Sequence, residues 1–337
     1  MDSKKINVFI NGFGRIGRLF ARIILQDERF RLVGINDIYS FEQMRYLLKY
    51  DSIYGTLPSK ISLKQSTLFV DNHKIKLFCK SNSEDMDIIS LNIDILAQCS
   101  GLYLTIKSNL PFLQSGAKKV IVSAPPLDNM PTYIYGVNHK EYLNETIISN
   151  SSCSANAIVP IFKIIDKYFG IDSAMMSMYH SYTVYQNLLD SKHYSTDIRR
   201  TRCATQNIIP LMSGAGEATA YFFSHLKKRL YAKSIRVPIP SMTFYSLHIN
   251  LLKSTTKEEV EKTFLKEITL HYKNILKTTD SVQVSSDYIK DPHSAIINLP
   301  LISVAQKTLL NISVWQDNEY GYAKRLVDMA YIIGKSI

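Results

Sequence analysis

The sequence predicts a two-part α/β protein, in which a doubly wound parallel sheet is followed by a second, α+β domain with a mixed or antiparallel sheet. The first 125 residues alternate short apolar runs with amphipathic stretches, which is the pattern of strands joined by helices. The second half carries longer runs rich in β-branched and aromatic residues, which favour an antiparallel or mixed sheet. A length of 337 residues suits about two domains.

The elements follow from apolar periodicity. In the first half the strands are predicted at Asn7–Asn11, Leu32–Asp37, Ile95–Cys99 and Lys119–Ser123, and the helices at Arg15–Gln26, Glu42–Lys49 and Ile106–Ser115. A long helix is expected from Ser152 to Gly170, where the glycine suits a helix C-terminus. The later strands are predicted at Ala174–Tyr182, Ile235–Val237, Thr243–Lys253, Ser294–Ile297 and Thr308–Trp315. A C-terminal helix around residues 326–333 completes the pattern, so we predict one domain at 1–152 and 318–337 and another at 153–317.

Composition narrows the class of protein. The net charge of +11 favours anionic partners such as phosphates, but the basic residues are scattered, and we therefore do not expect a nucleic acid partner. The cysteines, Cys79, Cys99, Cys153 and Cys203, form no CxxC pair, which argues against a metal site or a disulfide scaffold. No apolar run is long enough for a membrane span, and the N-terminus does not resemble a signal peptide. A cytoplasmic location is the resulting expectation.

A glycine-rich turn follows the first strand and opens the first helix. In Asn11–Gly17, Gly12 permits a tight turn, Gly14 admits a pyrophosphate to the backbone and Gly17 lets helix and strand pack closely. The second strand ends at Asp37, 20 residues after Gly17, where a carboxylate can accept hydrogen bonds from an adenosine ribose. The complete unit predicts a Rossmann-type dinucleotide-binding domain that uses the loop residues Gly12, Phe13, Gly14, Arg15 and Ile16 together with Asp37.

A cysteine stands at the predicted start of the long helix. Cys153 follows a run of hydroxyl-bearing residues, and a helix N-terminus lowers the pKa of a thiol because its amides and dipole favour the thiolate. His180 ends the next predicted strand, which can return beside that helix. We therefore expect Cys153 to be a nucleophile and His180 its catalytic partner.

Several segments resemble the signature segments of the phosphorylating glyceraldehyde-3-phosphate dehydrogenases, in family order and at family spacing. They are NGFGRIGR at 11–18, SNSSCSAN at 149–156, HSYT at 180–183, QNIIP at 206–210, RVPIP at 236–240 and WQDNEYGY at 315–322, with Ser123-Ala124-Pro125 also fitting. The similarity covers essentially the whole chain. It implies an NAD-dependent oxidoreductase of glycolysis and gluconeogenesis that forms a homotetramer.

The resemblance also implies roles for individual residues. Cys153 would attack the aldehyde, His180 would act as general base and stabilise the oxyanion, and inorganic phosphate would release the thioester as an acyl phosphate. Thr183 and Arg236 would hold the substrate phosphate, while Ser152, Ser154, Arg200, Ser213 and Gly214 would surround the attacking phosphate. Ser123, Asn318 and Tyr322 would contribute to the cofactor site. No metal is implied.

The chain departs from the family pattern at several of these positions. Ala155 lacks a hydroxyl, Gln98 stands where glutamate is common, and the aromatic pair of the WYDNEW segment becomes Gln316 and Tyr320. Tyr185 stands where aspartate is usual near the substrate phosphate. That carboxylate could orient Arg236, so we expect weaker substrate binding than in relatives with aspartate and an improvement on its restoration.

Three alternatives stay open at this level. Asp37 favours NAD, but Ser191 and Lys192, which replace a Leu-Pro pair, could donate to a 2′-phosphate, so use of NADP is possible. The stretch Asp190–Arg202 also resembles the erythrose-4-phosphate dehydrogenases. A non-catalytic nucleotide- or nucleic-acid-binding paralogue is the third reading.

Overall fold

The computed structural model describes residues 4–82 and 86–337, which form two compact units. The first unit comprises Met1–Ser152 and Tyr322–Ile337, and the second comprises Cys153–Gly321. The second unit therefore ends at residue 321, whereas the sequence places the domain boundary after residue 317.

The first unit is built on a mostly parallel sheet. Its strands are β1 (Ile6–Asn11), β2 (Phe30–Asn36), β3 (Ile61–Lys64), β4 (Thr67–Val70), β5 (His73–Phe78), β6 (Ile95–Gln98), β7 (Lys119–Val122) and β8 (Ile147–Ser149). They are ordered β3-β4-β5-β2-β1-β6-β7-β8, and only the pairs that involve β4 are antiparallel. The order reverses direction between β1 and β6, which is the point where open α/β sheets bind ligands beyond their carboxyl ends.

Helices α1 (Arg15–Ile24), α2 (Phe41–Lys49) and α3 (Ile106–Gln114) connect these strands. The side chain of Ser40 accepts from the backbone of Gln43 at the start of α2, and Thr105 caps α3 in the same way, so both helices begin where orphan amides are satisfied. The apolar face of α1 packs in a core that includes Phe20 and Ile24.

The second unit contains a seven-stranded mixed sheet with helices. Its elements are α4 (Cys153–Phe169), β9 (Ile171–Ser181), β10 (Ile209–Met212), α5 (Ala215–Ala220), β11 (Leu230–Val237), β12 (Thr243–Leu251), α6 (Lys257–Glu267), β13 (Leu276–Thr279), β14 (Ala295–Ala305) and β15 (Leu309–Gln316), and α7 (Tyr320–Gly334) follows. The strand order is β10-β11-β9-β12-β15-β14-β13. Gly170, just past α4, has a φ of +66°, as the predicted helix terminator requires. The predicted fold class is confirmed.

The predicted elements occur, with shifts at their ends, and the structure adds others. The additional ones are the hairpin of β3 and β4, the strands β5, β8, β10 and β13, and the helices α5 and α6. Within residues 4–82 and 86–337, no helix is both long and apolar enough to cross a membrane.

Candidate functional site

The three glycines after β1 serve distinct needs. Gly12 has a φ of +97°, and a Cβ there would lie 2.3 Å from the backbone nitrogen of Ser100. A Cβ on Gly17 would lie 2.1 Å from the carbonyl oxygen of Gly12, so α1 can pack on the loop only without a side chain. A Cβ on Gly14 would meet nothing within 4 Å among the described residues. Gly14 therefore leaves open space at the start of α1, as backbone approach to a ligand requires.

Asp37 lies beside this loop at the end of β2. Its carboxylate accepts a hydrogen bond from the backbone amide of Phe13, so the predicted ribose-binding acid and the glycine loop are in direct contact. Arg15 forms an ion pair with Asp51 at 2.6 Å, which holds the first residue of α1. Phe13 is fully buried, whereas Ile16 is only partly buried.

A chain of buried amides links the strand ends beneath the loop. Asn36 Nδ2 donates to Asn11 Oδ1 at 2.7 Å, and Asn11 Nδ2 donates to Gln98 Oε1 at 2.8 Å. The backbone amide of Ser123 donates to the carbonyl of Gln98 at 3.0 Å, which places Ser123 at the same sheet edge. These bonds fix β2, β1, β6 and β7 at their carboxyl ends, where the predicted cofactor residues stand.

The backbone bends sharply just before the predicted nucleophile. Ser151 has a φ of +55°, a conformation that costs a non-glycine residue of order 1 kcal/mol or more. The hydroxyl of Tyr322 donates to the carbonyl of Ser151 at 2.8 Å, and the amide of Ser151 donates to Ser149 Oγ at 2.9 Å. Strain held in this way is typical of functional turns. It sets the direction in which the chain enters α4.

Cys153 is the first residue of α4, and its backbone is fixed by side chains of the sheet. Gln316 Nε2 donates to the carbonyl of Cys153 at 2.8 Å. The hydroxyl of Tyr245, which is fully buried, donates to Gln316 Oε1. Tyr245 also interacts electrostatically with Cys153, and burial raises the pKa of its phenol.

The expected lowering of the thiol pKa by the helix N-terminus is wrong. Burial raises the pKa of the Cys153 thiol, and the hydrogen bond with Ser154 and the charge of Arg236 offset this only in part. The physical reason is that desolvation of the thiolate outweighs the hydrogen bonds from the backbone amides at the start of α4. Burial raises the pKa of Cys99 further, to about 12, so Cys99 is a poor nucleophile.

His180 is buried at the end of β9 and touches Arg236 on the neighbouring strand. Arg236 Nη1 donates to His180 Nδ1 at 2.7 Å and to the carbonyl of Ser181 at 3.0 Å. A guanidinium can only donate, so Nδ1 is the acceptor and the proton of the neutral ring lies on Nε2. The pKa of His180 is lowered to about 3, mainly by burial and secondly by the positive charge of Arg236. The imidazole is therefore neutral at physiological pH, with Nε2–H as a donor.

Arg236 and Arg200 line one cavity of about 310 Å³, which is bounded by Tyr185, His193, Tyr194, Ser195, Arg200 and Arg236. Burial, which is the largest cause, and the neighbouring charge of Arg200 together lower the pKa of Arg236 to about 10, while Cys153 acts in the opposite direction, so Arg236 remains a cation at neutral pH. A cavity that holds two cations and no carboxylate among its lining residues suits an anion.

The structure brings the other predicted phosphate residues together only in part. Ser154 Oγ lies 4.0 Å from the sulfur of Cys153. Thr183 Oγ1 donates to Gln186 Oε1 at 3.0 Å. Ser213 Oγ accepts from the backbone at the start of α5, where Gly214 precedes the helix. No hydrogen bond among residues 4–82 and 86–337 joins Thr183, Ser213 or Gly214 to Cys153.

Ser152 and Asn318 are the remaining predicted site residues, the first adjacent to Cys153 in sequence and the second in contact with the residue after His180. Ser152 directly precedes Cys153. Asn318 is buried in the second unit, and its Oδ1 accepts from Ser181 Oγ at 3.4 Å. Asn318 thus lies next to the backbone that His180 and Arg236 share.

Sequence reasoning missed Tyr245 and His193. Tyr245 reaches Gln316 because β12 and β15 are paired, with Thr243 opposite Gln316. His193 lies in a loop whose sequence carries no periodic signal. Gln316 is the one partner that the sequence marks, because it replaces an aromatic residue of the family pattern. The sequence does not show which groups Gln316 bonds.

The first unit has a dinucleotide-type fold, and in the second Arg236 interacts with both Cys153 and His180, which are features typical of a cofactor-dependent dehydrogenase. Residues 6–106 match the family described as "Glyceraldehyde 3-phosphate dehydrogenase, NAD binding domain", and residues 152–318 match "Glyceraldehyde 3-phosphate dehydrogenase, C-terminal domain". The chain belongs to the glyceraldehyde 3-phosphate dehydrogenase family.

Full-length relatives agree with this assignment. The chain is 37% identical over 335 residues to glyceraldehyde-3-phosphate dehydrogenase 2 of Streptomyces avermitilis, an alignment that covers 98% of this chain and 99% of the relative. It is 38% identical over 340 residues to the glyceraldehyde-3-phosphate dehydrogenase of Mycobacterium leprae, with the same coverage. Identity to glyceraldehyde-3-phosphate dehydrogenase 2 of Bacillus subtilis is 35% over 327 residues, covering 96% of each chain.

Proposed function

We propose that this chain catalyses the reversible, NAD-dependent and phosphorylating oxidation of glyceraldehyde 3-phosphate to 1,3-bisphosphoglycerate through a thioester on Cys153. The observation that carries the proposal is the position of Arg236. It interacts electrostatically with Cys153, donates to His180 and lines the cavity that also contains Arg200. Arg236 thus connects the nucleophile, the imidazole and the cavity lined by two arginines.

The first unit fits NAD. The open space at Gly14 and the carboxylate of Asp37, held beside the loop by the amide of Phe13, provide the features that a pyrophosphate and a ribose diol require. When bound, NAD supplies the nicotinamide that accepts the hydride. Gly12, Phe13, Gly14, Arg15, Ile16, Asp37 and Ser123 would hold it, with Asn318 and Tyr322 as further proposed cofactor residues. NADP use through Ser191 and Lys192 stays a prediction.

The chemistry begins with attack of Cys153 Sγ on the aldehyde carbon. As the carbon–sulfur bond forms, the thiol proton of Cys153 passes to His180 Nε2, and the resulting Nε2–H then gives this proton to the aldehyde oxygen, so that a neutral hemithioacetal results. For proton removal, His180 needs its lone pair on Nε2. That tautomer is available once a phosphate draws Arg236 away, because Nδ1–H can then donate to the Ser181 carbonyl, 2.8 Å away. Substrate phosphate would thereby switch His180 from donor to base.

The acyl group then leaves Cys153. The hemithioacetal becomes a thioester when its carbon loses a hydride and its hydroxyl loses a proton to His180 Nε2. An oxygen of inorganic phosphate then attacks the thioester carbonyl carbon. The carbon–sulfur bond breaks, and Cys153 leaves as the thiolate. Ser152, Ser154, Arg200, Ser213 and Gly214 are the proposed partners of this phosphate, and Thr183 and Arg236 those of the substrate phosphate.

The test is formation of NADH with glyceraldehyde 3-phosphate, with and without inorganic phosphate, beside erythrose 4-phosphate under the same conditions. We expect turnover that depends on phosphate and a higher kcat/KM for the three-carbon aldehyde. A higher kcat/KM for erythrose 4-phosphate would assign the chain to that substrate. Absence of turnover with both would contradict the proposal.

We also propose that the protein forms a homotetramer, because apolar side chains are exposed on one face of the sheet in the second unit. Tyr231 on β11 pairs with Met175 on β9, and Tyr179 packs near Phe244 on β12, with ring centroids 6.1 Å apart. Met175 and Tyr231 are 67% and 59% exposed, which is unusual for neighbouring apolar side chains of a sheet. Analytical ultracentrifugation tests the assembly. The cytoplasmic location stays a prediction.

A further inference from the structure

His193 stands in the cavity with a fixed tautomer. The backbone amide of Ser195 donates to His193 Nδ1 at 2.9 Å, so Nδ1 is the acceptor. The proton of the neutral ring then lies on Nε2. The ring stacks on Tyr194, with centroids 4.3 Å apart and an interplanar angle of 25°, which fixes its plane.

The Nε2 atom of His193 is a buried donor whose partner is missing. Across residues 4–82 and 86–337, it has no hydrogen-bond acceptor, and the same holds for Nε of Arg236. Buried donors are nearly always paired, so two unpaired ones in the lining of a single cavity point to a ligand that accepts hydrogen bonds.

The charges around the cavity select an anion. Asp197 forms a two-pronged pair with Arg199, at 2.8 and 2.7 Å, and Asp190 pairs with Arg202 at 3.0 Å. Both carboxylates of this loop are therefore engaged by other arginines. Among the described residues, the guanidinium of Arg200 has neither an ion pair nor a side-chain hydrogen bond, and it faces the cavity beside Arg236.

We infer that His193 donates from Nε2 to a phosphoryl oxygen bound between Arg200 and Arg236, which makes it a phosphate-binding residue. The inference rests on the proposed function. The phosphoryl group belongs to the sugar phosphate or to inorganic phosphate, which share the chemistry that this cavity recognises. The Nε2–H group of His193 adds direction to a site in which the two guanidinium groups supply charge.

The test compares the KM values for glyceraldehyde 3-phosphate and for inorganic phosphate in His193→Ala, His193→Gln and, as a matched control, His271→Ala at an exposed histidine. We expect His193→Ala to raise the KM for one of them about tenfold with kcat changed less than about twofold, since a donor to a charged group is lost. The phosphate whose KM rises is the occupant. His193→Gln keeps a side-chain N–H donor, so its KM should lie close to that of the wild type. His193→Phe keeps the ring stacked on Tyr194 and replaces the alanine variant if that variant does not fold.

Binding of inorganic phosphate to the full-length protein, measured by calorimetry, separates this inference from the proposed function. A fall in phosphate affinity in His193→Ala, with none in His271→Ala, supports the assignment even if the wild-type chain does not oxidise either aldehyde. An active wild type whose KM values and phosphate affinity are unchanged by His193→Ala overturns the assignment and leaves the proposed function intact.

Discussion

The side-chain amide of Gln316 donates to the backbone carbonyl of Cys153 at 2.8 Å, so the last residue of β15 fixes the first residue of α4. The other end of the same amide accepts from the buried hydroxyl of Tyr245. The side chain of Gln316 therefore connects the sheet to the backbone of the predicted nucleophile through two hydrogen bonds.

Gln316→Leu should disturb both stability and catalysis. The variant leaves the Tyr245 hydroxyl and the Cys153 carbonyl without this partner, which costs about 1–3 kcal/mol for a buried polar group. We expect a lower free energy of unfolding in urea and a lower kcat. Gln316→Glu keeps the acceptor for Tyr245 but cannot donate to Cys153 when ionised, so it separates the two bonds. Unchanged kcat in both variants would contradict a positioning role for Gln316.

Cys153→Ser should abolish dehydrogenase activity, whereas Cys99→Ser and Cys203→Ser should retain it. Only Cys153 stands beside Arg236 and at the start of a helix.

Because burial raises its pKa, alkylation of Cys153 should be slow at neutral pH and should keep accelerating above the ordinary thiol pKa. Arg236→Gln should raise the pKa further by removing a favourable charge.

Residue-by-residue labelling with iodoacetamide, followed by mass spectrometry, measures this profile. The exposed Cys79 serves as an internal reference within the same chain. If Cys153 reacted faster than Cys79 at neutral pH, the thiol would be activated in the resting protein, and the effect attributed to burial would be wrong. Equal loss of activity in Cys99→Ser or Cys203→Ser would remove Cys153 as the nucleophile.

These results define what sequence can predict here. The unit from β1 to β2 is recognisable because strand, glycine turn, helix and acid are consecutive in the chain. The sequence predicts the wrong direction for the pKa shift of Cys153, because the position of the residue on the helix is visible in the sequence and the burial of its thiol is not. The hairpin of β3 and β4 was missed because its strands are only four residues long, Ile61–Lys64 and Thr67–Val70, and partly exposed. Helix α6 is also absent from the sequence prediction, although Thr256 and Glu259 form a capping box that marks its start.

The buried neutral His180 should make stability depend on pH. Its pKa in the folded protein is about 3, below the ordinary 6.5, so between these values the unfolded chain binds a proton that the folded chain does not. The contribution of His180 to stability is therefore present above about pH 6.5 and is lost as the pH falls towards 3, with a limiting slope of about 1.4 kcal/mol per pH unit.

Urea unfolding of the wild type and of His180→Asn, which cannot titrate, measures this contribution between pH 7.5 and pH 4.5. We expect the free energy of unfolding to fall more steeply with decreasing pH in the wild type than in the variant. Parallel curves would show that His180 titrates alike in the folded and unfolded chains.

Asp37→Asn should relax the preference for NAD over NADP. A carboxylate about 4 Å from a 2′-phosphate at an effective dielectric near 20 repels it by roughly 4 kcal/mol before screening. Asparagine removes this charge but retains an acceptor for the amide of Phe13, whereas Asp37→Ala also loses that bond. The ratio of kcat/KM values for the two cofactors is the measurement. If the wild type already accepts NADP, Lys192→Pro should restore the preference for NAD, and an unchanged ratio would exclude that loop from cofactor choice.

Tyr185 is the last residue that the structure reinterprets. The sequence comparison predicts that aspartate at this position would improve substrate binding by orienting Arg236. In the structure, Arg236 is already held by His180 Nδ1 and the Ser181 carbonyl, at 2.7 and 3.0 Å. Tyr185 is 49% exposed and contacts Tyr194 edge-on, so it lines the cavity without supplying charge.

Tyr185→Asp should therefore raise the KM for glyceraldehyde 3-phosphate. A carboxylate about 8 Å from a bound phosphate at an effective dielectric near 40 costs about 1 kcal/mol, or about fivefold in KM, and it also competes for the guanidinium groups of Arg200 and Arg236. Tyr185→Phe, which adds no charge, is the matched control and should change the KM by less than about twofold. The increase should shrink at high ionic strength, because the repulsion is electrostatic and the site is partly exposed. A lower KM in Tyr185→Asp would instead show that Arg236 needs a carboxylate partner once it leaves His180 for the phosphate.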